Sequence, residues 1–121
     1  MGNKQTAAKD GKVKARSFKD LLVWQKGMVL AKGIYEITRP FPDHEKFGLV
    51  SQMRRAAVSI PSNIAEGQAP HTTKEFIQFI SYAEGSVAEL ETQLMLAADS
   101  GYCLPCQVEQ AEEVFRLISD L

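Results

Sequence analysis

Two cysteines, Cys103 and Cys106, form the motif in this chain with the most evident potential for chemistry. They flank Leu104 and Pro105, and a proline in this position favours the first turn of a helix. The helix dipole would then lower the pKa of the first thiol, as it does in redox disulfide sites. Such sites lie in a β-α-β context, and the sequence contains no alternating segments long enough for strands. We therefore favour two reduced loop cysteines, with a small redox protein as the least favoured alternative.

Motifs for metal binding and catalysis are missing from the sequence. A zinc site at the cysteines would need two further ligands, and the two histidines, His44 and His71, fall in predicted loops. There is no Glu-x-x-His pair of the kind that holds di-iron centres, no phosphate loop, and no nucleophile with a base partner. The sequence therefore predicts a protein that is not an enzyme and carries no cofactor. The helical glutamates are interpreted as a solvated face.

A basic and polar segment offers candidate contacts to nucleic acid or a protein partner. Arg54 and Arg55 can pair with phosphates or carboxylates, and salt bridges to the acidic third helix are the alternative. Ser59 and Asn63 lie beside Pro61, which predicts a kink in the helix. They form either a polar ligand surface or, as we favour, hydrogen bonds to carbonyls near the proline.

The N-terminal segment is basic. Residues 1–17 contain five basic residues and one acidic residue, a net charge of +4, and the rest of the chain contains nine basic and fourteen acidic residues, a net charge of −5. Because residues 1–16 lack apolar periodicity, we predict a disordered arm followed by a folded domain over 17–121. Lys12, Lys14 and Arg16 are candidate contacts to nucleic acid, and a solvated leader without a binding role is the favoured alternative.

Helices must position all of these residues. Apolar residues recur every three to four positions between helix-capping signals, such as a serine or threonine followed three residues later by an acidic residue. The predicted helices run from Ser17 to about Arg39, from Asp43 or Glu45 to Gly67, from Thr72 to Gly101, and from Pro105 to Leu121. We therefore predict an all-α fold, an antiparallel up-and-down four-helix bundle.

The first predicted helix is apolar over about half of its circumference. One apolar line passes through Trp24, and a second contains Val23, Leu30, Ile34 and Ile37. A monomeric bundle needs one wide apolar stripe from each helix, so we assign the second line to a candidate interface with another subunit. The alternative, equally supported, is that both lines face a thick core.

The composition is that of a globular protein, with 45% hydrophobic and 24% charged residues. No stretch approaches the roughly 18–20 continuous apolar residues that span a membrane, and the polar N-terminus lacks the apolar segment of a secretory signal. The sequence therefore predicts a cytoplasmic protein without a membrane partner.

Several runs of residues resemble a known family. They are Phe18-x-Asp20-Leu21-x-Val23-Trp24-Gln25-Lys26, Phe41-Pro42, Phe47-Gly48-Leu49, the stretch from Ser51 to Gly67, and Gly85-Ser86-x-x-Glu89-Leu90-Glu91-Thr92. Over residues 18–121 the chain is similar to bacterial four-helix bundle proteins first noticed as open reading frames in intervening sequences of 23S ribosomal RNA genes. The stretch from Ser51 to Gly67 is long enough to make the resemblance specific.

The resemblance implies a four-helix bundle that forms ring-shaped homopentamers. A related group, the accessory variability determinants of diversity-generating retroelements, shares this form and associates with nucleic acid and a reverse transcriptase. No catalytic residues are known for the family, so none is transferred, whereas Arg54 and Arg55 match its motif. Two features depart from expectation: the bundle is net acidic, where a nucleic-acid binder should show a basic face, and the Cys-x-x-Cys motif is not part of the family pattern.

The leading hypothesis is a non-enzymatic homo-oligomeric bundle that serves as an assembly protein or as an accessory protein associated with RNA or DNA. A protein-interaction adaptor that does not bind nucleic acid is the main alternative.

Overall fold

A computed structural model describes residues 17–69 and 72–120 and, within them, every side chain except those of Cys106, Gln110 and Val114. Its α-helices are α1 (Leu22–Thr38), α2 (Leu49–Gly67), α3 (Thr73–Asp99) and α4 (Pro105–Ser119). Each helix packs against the next in the chain, and α1 also packs against α4. No strand occurs in the described residues. The predicted all-α four-helix bundle is therefore confirmed.

Some of the predicted features lie outside the described residues. These are the arm over residues 1–16 with Lys12, Lys14 and Arg16, the loop residue His71, and the chain end at Leu121. The division of the chain into an arm and a domain over 17–121 stays a prediction. Among the described residues, no helix combines the length and hydropathy that a membrane-spanning segment requires.

The start of the first helix differs from the prediction. Ser17 forms the expected capping box: its Oγ accepts a hydrogen bond from the Lys19 amide at 3.1 Å, and its own amide donates to Asp20 at 3.4 Å. This box caps a short 3-10 turn, Phe18–Asp20, rather than α1. Leu21 then adopts an extended conformation (φ −80°, ψ 126°), and α1 begins at the next residue, Leu22, rather than at Ser17.

The second helix also begins later than predicted. Asp43–Glu45 forms a separate 3-10 turn, and α2 starts at Leu49. Glu45 acts from outside the helix, because its Oε1 accepts a hydrogen bond from the Leu49 amide at 3.2 Å and so satisfies an amide of the first turn. The predicted end at Gly67 is confirmed, and the helix is continuous through Pro61.

The third and fourth helices follow their predicted end signals. Thr72 caps α3 in a capping box with Glu75. After the end of α3, Gly101 has a φ of 79°, the left-handed conformation expected of it, and the Tyr102 amide donates to the Ala97 carbonyl at 2.8 Å. Pro105 begins α4. At 1.5 Å per residue, α3 is about 40 Å long and α4 about 22 Å, so α4 covers only part of α3.

Most of the core consists of apolar residues of α2, α3 and α4, and it includes part of the candidate interface line of α1. Leu30 and Ile34 are 7% and 0% exposed and are core residues of the single chain, and their role at an interface with another subunit stays a prediction. Val23 and Ile37 are half-buried and pack against the same core. The apolar side chains of α1 that do reach solvent include Val29, which is 65% exposed.

Candidate functional site

Arg54 completes the C-terminal end of α1. Its Nε donates a hydrogen bond to Thr38 Oγ1 at 2.9 Å, and its Nη2 donates to the Tyr35 carbonyl at 3.3 Å. Thr38 is buried, and its hydroxyl donates in turn to the Ile34 carbonyl at 2.7 Å. The guanidinium carbon lies 4.6 Å from the centre of the Tyr35 ring. A cation at the end of a helix stabilises its unpaired carbonyls and its dipole, so this candidate contact residue joins α2 to α1.

Arg55 points to the opposite neighbour of α2. Its Nη2 lies 3.0 Å from Glu89 Oε2 on α3 and 3.2 Å from Gln52 Oε1. Arg55 therefore forms the salt bridge to the acidic third helix that was the alternative interpretation of the arginine pair. Arg54 instead contacts α1. Consecutive helical residues are separated by about 100°, so the two arginines do not form one basic site.

Ser59 and Asn63 form a hydrogen-bonded cluster with α3. The hydroxyls of Ser59 and Ser86 are 2.7 Å apart. The Asn63 Nδ2 donates to the Ser59 carbonyl at 2.8 Å and to its Oγ at 2.9 Å. Hydrogen bonds to carbonyls near Pro61 were the favoured interpretation of these two residues. Pro61 has no N–H to donate to the Ala57 carbonyl, but the carbonyl that Asn63 contacts is that of Ser59.

Gln93 extends this polar contact along α3. Its Nε2 donates to Glu89 Oε2 at 3.4 Å, whereas its Oε1 is buried without a hydrogen-bond donor among the described residues. The α2–α3 polar seam consists of Arg55, Ser59, Asn63, Ser86, Glu89 and Gln93. Within the described residues, the side chains of the seam bond to one another, and Arg55 also donates to Gln52. We therefore interpret it as a set of contacts that orient α2 and α3.

An apolar groove lies between α1 and α4. Its cavity has a volume of about 150 Å³ and is partly open to solvent. Val29 and Ile37 form its α1 wall, and Ala111 and Gln107 form its α4 wall. Gly33 contributes no side chain, and the buried Leu30 and Ile34 of the interface prediction line its floor. The groove therefore contains Leu30, Ile34 and Ile37 of the predicted line and adds the exposed Val29 to it.

The outward face of α1 carries a basic and aromatic surface that no motif in the sequence had indicated. Lys32, Tyr35 and Arg39 line a shallow recess of about 380 Å³ together with Glu36, Met28 and Ala31. The spacing of three and seven residues from Lys32 places Tyr35 and Arg39 on the same side of the helix. We call Lys32, Tyr35 and Arg39 the α1 basic surface.

Charge is distributed unevenly between the two halves of the bundle. Residues 17–69 contain seven basic and five acidic residues, and residues 72–120 contain two basic and nine acidic residues, so their net charges are +2 and −7. A second groove, between α3 and α4, has Glu91, Glu112 and Asp120 in its lining. The α1–α2 half is therefore complementary in charge to the α3–α4 half.

Cys103, the first thiol of the Cys-x-x-Cys motif, lies just before α4. It is half-buried and forms no disulfide. Burial raises its pKa, whereas the least favoured alternative, a redox site, would have it lowered by the helix dipole. The side chain of Cys106 lies outside the described residues, and the redox role of the pair stays a prediction.

His44, Glu45 and Tyr102 meet where two loops come together at one end of the bundle. Tyr102 Oη donates to Glu45 Oε2 at 3.1 Å, and His44 Nε2 lies 3.3 Å from the same hydroxyl. The Tyr102 ring packs on the buried Phe41 ring, with the centres 5.3 Å apart. Partial burial, and then the Glu45 carboxylate, raise the pKa of Tyr102. No group of three His, Cys, Asp or Glu side chains suited to a metal ion occurs in the part of the chain that the structure describes.

Comparison with known proteins finds one family. The sequence profile of the family described as 23S rRNA-intervening sequence protein matches residues 19–121, from the first 3-10 turn through all four helices. No curated protein matches the chain.

Proposed function

The chain belongs to the 23S rRNA-intervening sequence protein family, and we propose that it acts as a non-enzymatic helical bundle that assembles with copies of itself. The ring-shaped homopentamer implied by the family resemblance is the form that we propose. The groove between α1 and α4 is the observation that carries this proposal, because it exposes apolar surface along two adjacent helices of a single chain.

The groove has the properties of a contact surface. Val29 is 65% exposed although it lies directly beside the buried Leu30, and the recess next to it is predominantly apolar. Contiguous apolar surface of this kind is stabilised when a partner covers it, at about 25 cal/mol per Å² removed from water. The half-buried Ile37, which belongs to the predicted interface line of α1, extends the same strip.

The charge distribution supports contacts of the head-to-tail kind. A basic α1–α2 half and an acidic α3–α4 half attract each other when they belong to neighbouring copies. Contacts between different surfaces of identical subunits generate closed rings when the rotation between subunits allows it. Charged residues on these two halves would therefore determine how neighbouring subunits are oriented. The apolar groove would supply most of the free energy of association.

The test is the mass of the protein in solution, measured by light scattering and sedimentation over a range of concentrations. We expect an oligomer whose mass falls towards that of one chain in Val29→Glu, because the new carboxylate would be buried in the contact without a partner. Val58→Glu is the matched control, since Val58 is also exposed, at 42%, but lies on α2 away from the groove. A monomeric parent protein, or equal effects of both substitutions, would overturn the proposal.

Association with nucleic acid is a second candidate function, favoured by the α1 basic surface. In proteins that bind nucleic acid, exposed cations contact phosphates and aromatic rings stack on bases. The basic residues Lys12, Lys14 and Arg16 also precede the bundle in the sequence. Within the assembly proposed above, each copy would add one such surface. A protein-interaction adaptor that binds no nucleic acid remains the alternative, and the two are distinguished by the salt dependence described in the Discussion.

A further inference from the structure

Three potential metal ligands converge at the loop end of the bundle. His44 Nε2, Glu45 Oε2 and Tyr102 Oη form a triangle with sides of 3.3, 3.1 and 4.0 Å. A point equidistant from these three atoms lies about 2.1 Å from each, within the 2.0–2.2 Å range of bonds from zinc to nitrogen and oxygen ligands. We propose that His44, Glu45 and Tyr102 bind a divalent first-row transition-metal ion, with Zn²⁺ as the probe, and leave a fourth position open to solvent.

The fold holds two of these ligands in place independently of the third. Tyr102 is fixed through its backbone, because its amide closes the end of α3 on the Ala97 carbonyl, and its ring packs on Phe41. Glu45 binds the Leu49 amide through Oε1, which leaves Oε2 for the metal. Metal sites depend on contacts that orient the ligands in this way. The side chain of His44 is 71% exposed, so it can turn to the ion without disturbing the core.

The charges of the site suit a dication. Glu45 contributes a carboxylate oxygen, His44 an imidazole nitrogen, and Tyr102 a phenolate oxygen that forms only when the ion displaces the hydroxyl proton, so the ligands offset the charge of Zn²⁺. The ion replaces the hydroxyl proton that Tyr102 shares with Glu45, and this proton leaves to solvent. Asp43 and Lys46 flank the pair in sequence and contribute opposite charges. Tyrosinate and imidazole are both ligands that transition metals take in proteins.

Calorimetric titration of the full chain with Zn²⁺ in a chelator-free buffer tests this assignment. We expect binding of one ion per chain, weakened about tenfold or more in Tyr102→Phe and in His44→Ala. Tyr82→Phe is the matched control, because Tyr82 is also a tyrosine with a hydrogen-bonded hydroxyl, 2.8 Å from Gln78 Nε2, but has no histidine or carboxylate at that bond. Tyr102→Phe keeps the ring on Phe41, and circular dichroism verifies that the variant folds.

Two further measurements separate this site from other zinc ligands of the chain. Titration in buffers of different protonation enthalpy should show release of about one proton per ion, which disappears in Tyr102→Phe. Binding should persist when Cys103 and Cys106 are replaced with serine. The proposal is overturned if no binding is detected at millimolar Zn²⁺, if Tyr102→Phe binds as the parent does, or if the cysteine substitutions abolish binding.

Discussion

Arg54 Nε donates a hydrogen bond to Thr38 Oγ1 across 2.9 Å, and this bond joins the second turn of α2 to the last turn of α1. Thr38 is one of the few buried polar side chains in the described part of the chain. Its hydroxyl both accepts from the guanidinium and donates to the Ile34 carbonyl. Arg54 therefore has a structural role, which is to hold α2 against the end of α1.

Replacing the two neighbouring arginines should affect stability unequally. Arg54→Ala removes a partly buried hydrogen bond from a charged donor and leaves Thr38 with an unpaired acceptor, so we expect a loss of about 1.5–3 kcal/mol in the free energy of unfolding. Arg55→Ala removes an exposed salt bridge, which is worth about 0.2–1 kcal/mol. Urea denaturation of both variants measures the difference. Equal losses would contradict the assignment of Arg54 to the end of α1.

Gln93 carries the unsatisfied oxygen of the polar seam. Because the amide is 8% exposed and its Oε1 has no donor among the described residues, we expect Gln93→Leu to raise the free energy of unfolding by about 1 kcal/mol, through removal of an unpaired buried acceptor. Gln78→Leu, on the exposed surface of α3, should change stability by less than about 0.5 kcal/mol. A destabilised Gln93→Leu would contradict this expectation and show that the hydrogen bonds of the amide, including the one from Nε2 to Glu89, contribute more than the unpaired oxygen costs.

The pH dependence of Cys103 follows from its burial. In Cys106→Ser, with a chelator present, we expect the rate of alkylation by iodoacetamide to rise with a midpoint above 9.0, the ordinary pKa of the thiol. The same variant unfolded in urea should show a midpoint near that ordinary value. Because the folded pKa is the higher one, Cys103 contributes stability below the unfolded pKa, and this contribution disappears as pH rises through the folded pKa. A folded midpoint well below neutrality would contradict this expectation and favour the redox hypothesis.

Local signals account for what could be predicted from the sequence. The caps at Ser17 and Thr72, the glycine at 101 and the proline at 105 act on backbone groups within a few residues, so short runs reveal them. The late start of α2 was missed because Glu45 caps that helix from outside. The different directions of Arg54 and Arg55 depend on which helix lies on each side of α2, and local sequence does not contain this information.

Tertiary contacts explain why the site residues were harder to predict than the fold. His44 and Tyr102 are 58 positions apart, and no local pattern relates them before the two loops meet. The apolar line on α1 had the right periodicity but two possible faces, and burial assigned Leu30 and Ile34 to the core while leaving Val29 exposed. Periodicity identifies an apolar line, whereas the packing of the neighbouring helices decides what covers it.

The α1 basic surface makes the nucleic-acid hypothesis testable. If Lys32 and Arg39 each bind a phosphate, the affinity for a structured RNA should fall as salt is added, because binding releases condensed counterions. Replacing both with alanine should weaken binding at low salt. It should also reduce the magnitude of the slope of log affinity against log salt by about 2, one unit for each phosphate that is no longer neutralised.

Lys74→Ala provides the control, because Lys74 is an exposed lysine on α3, in the acidic half of the molecule. Its replacement changes the net charge by one unit without altering the α1 surface, so the salt slope should stay the same. Binding should be measured by fluorescence anisotropy with the N-terminal residues 1–16 present, since Lys12, Lys14 and Arg16 would bind phosphates of their own. If the parent chain shows no affinity for RNA at low salt, the adaptor function is favoured. If the double variant binds with an unchanged salt slope, the phosphate contacts belong to other residues.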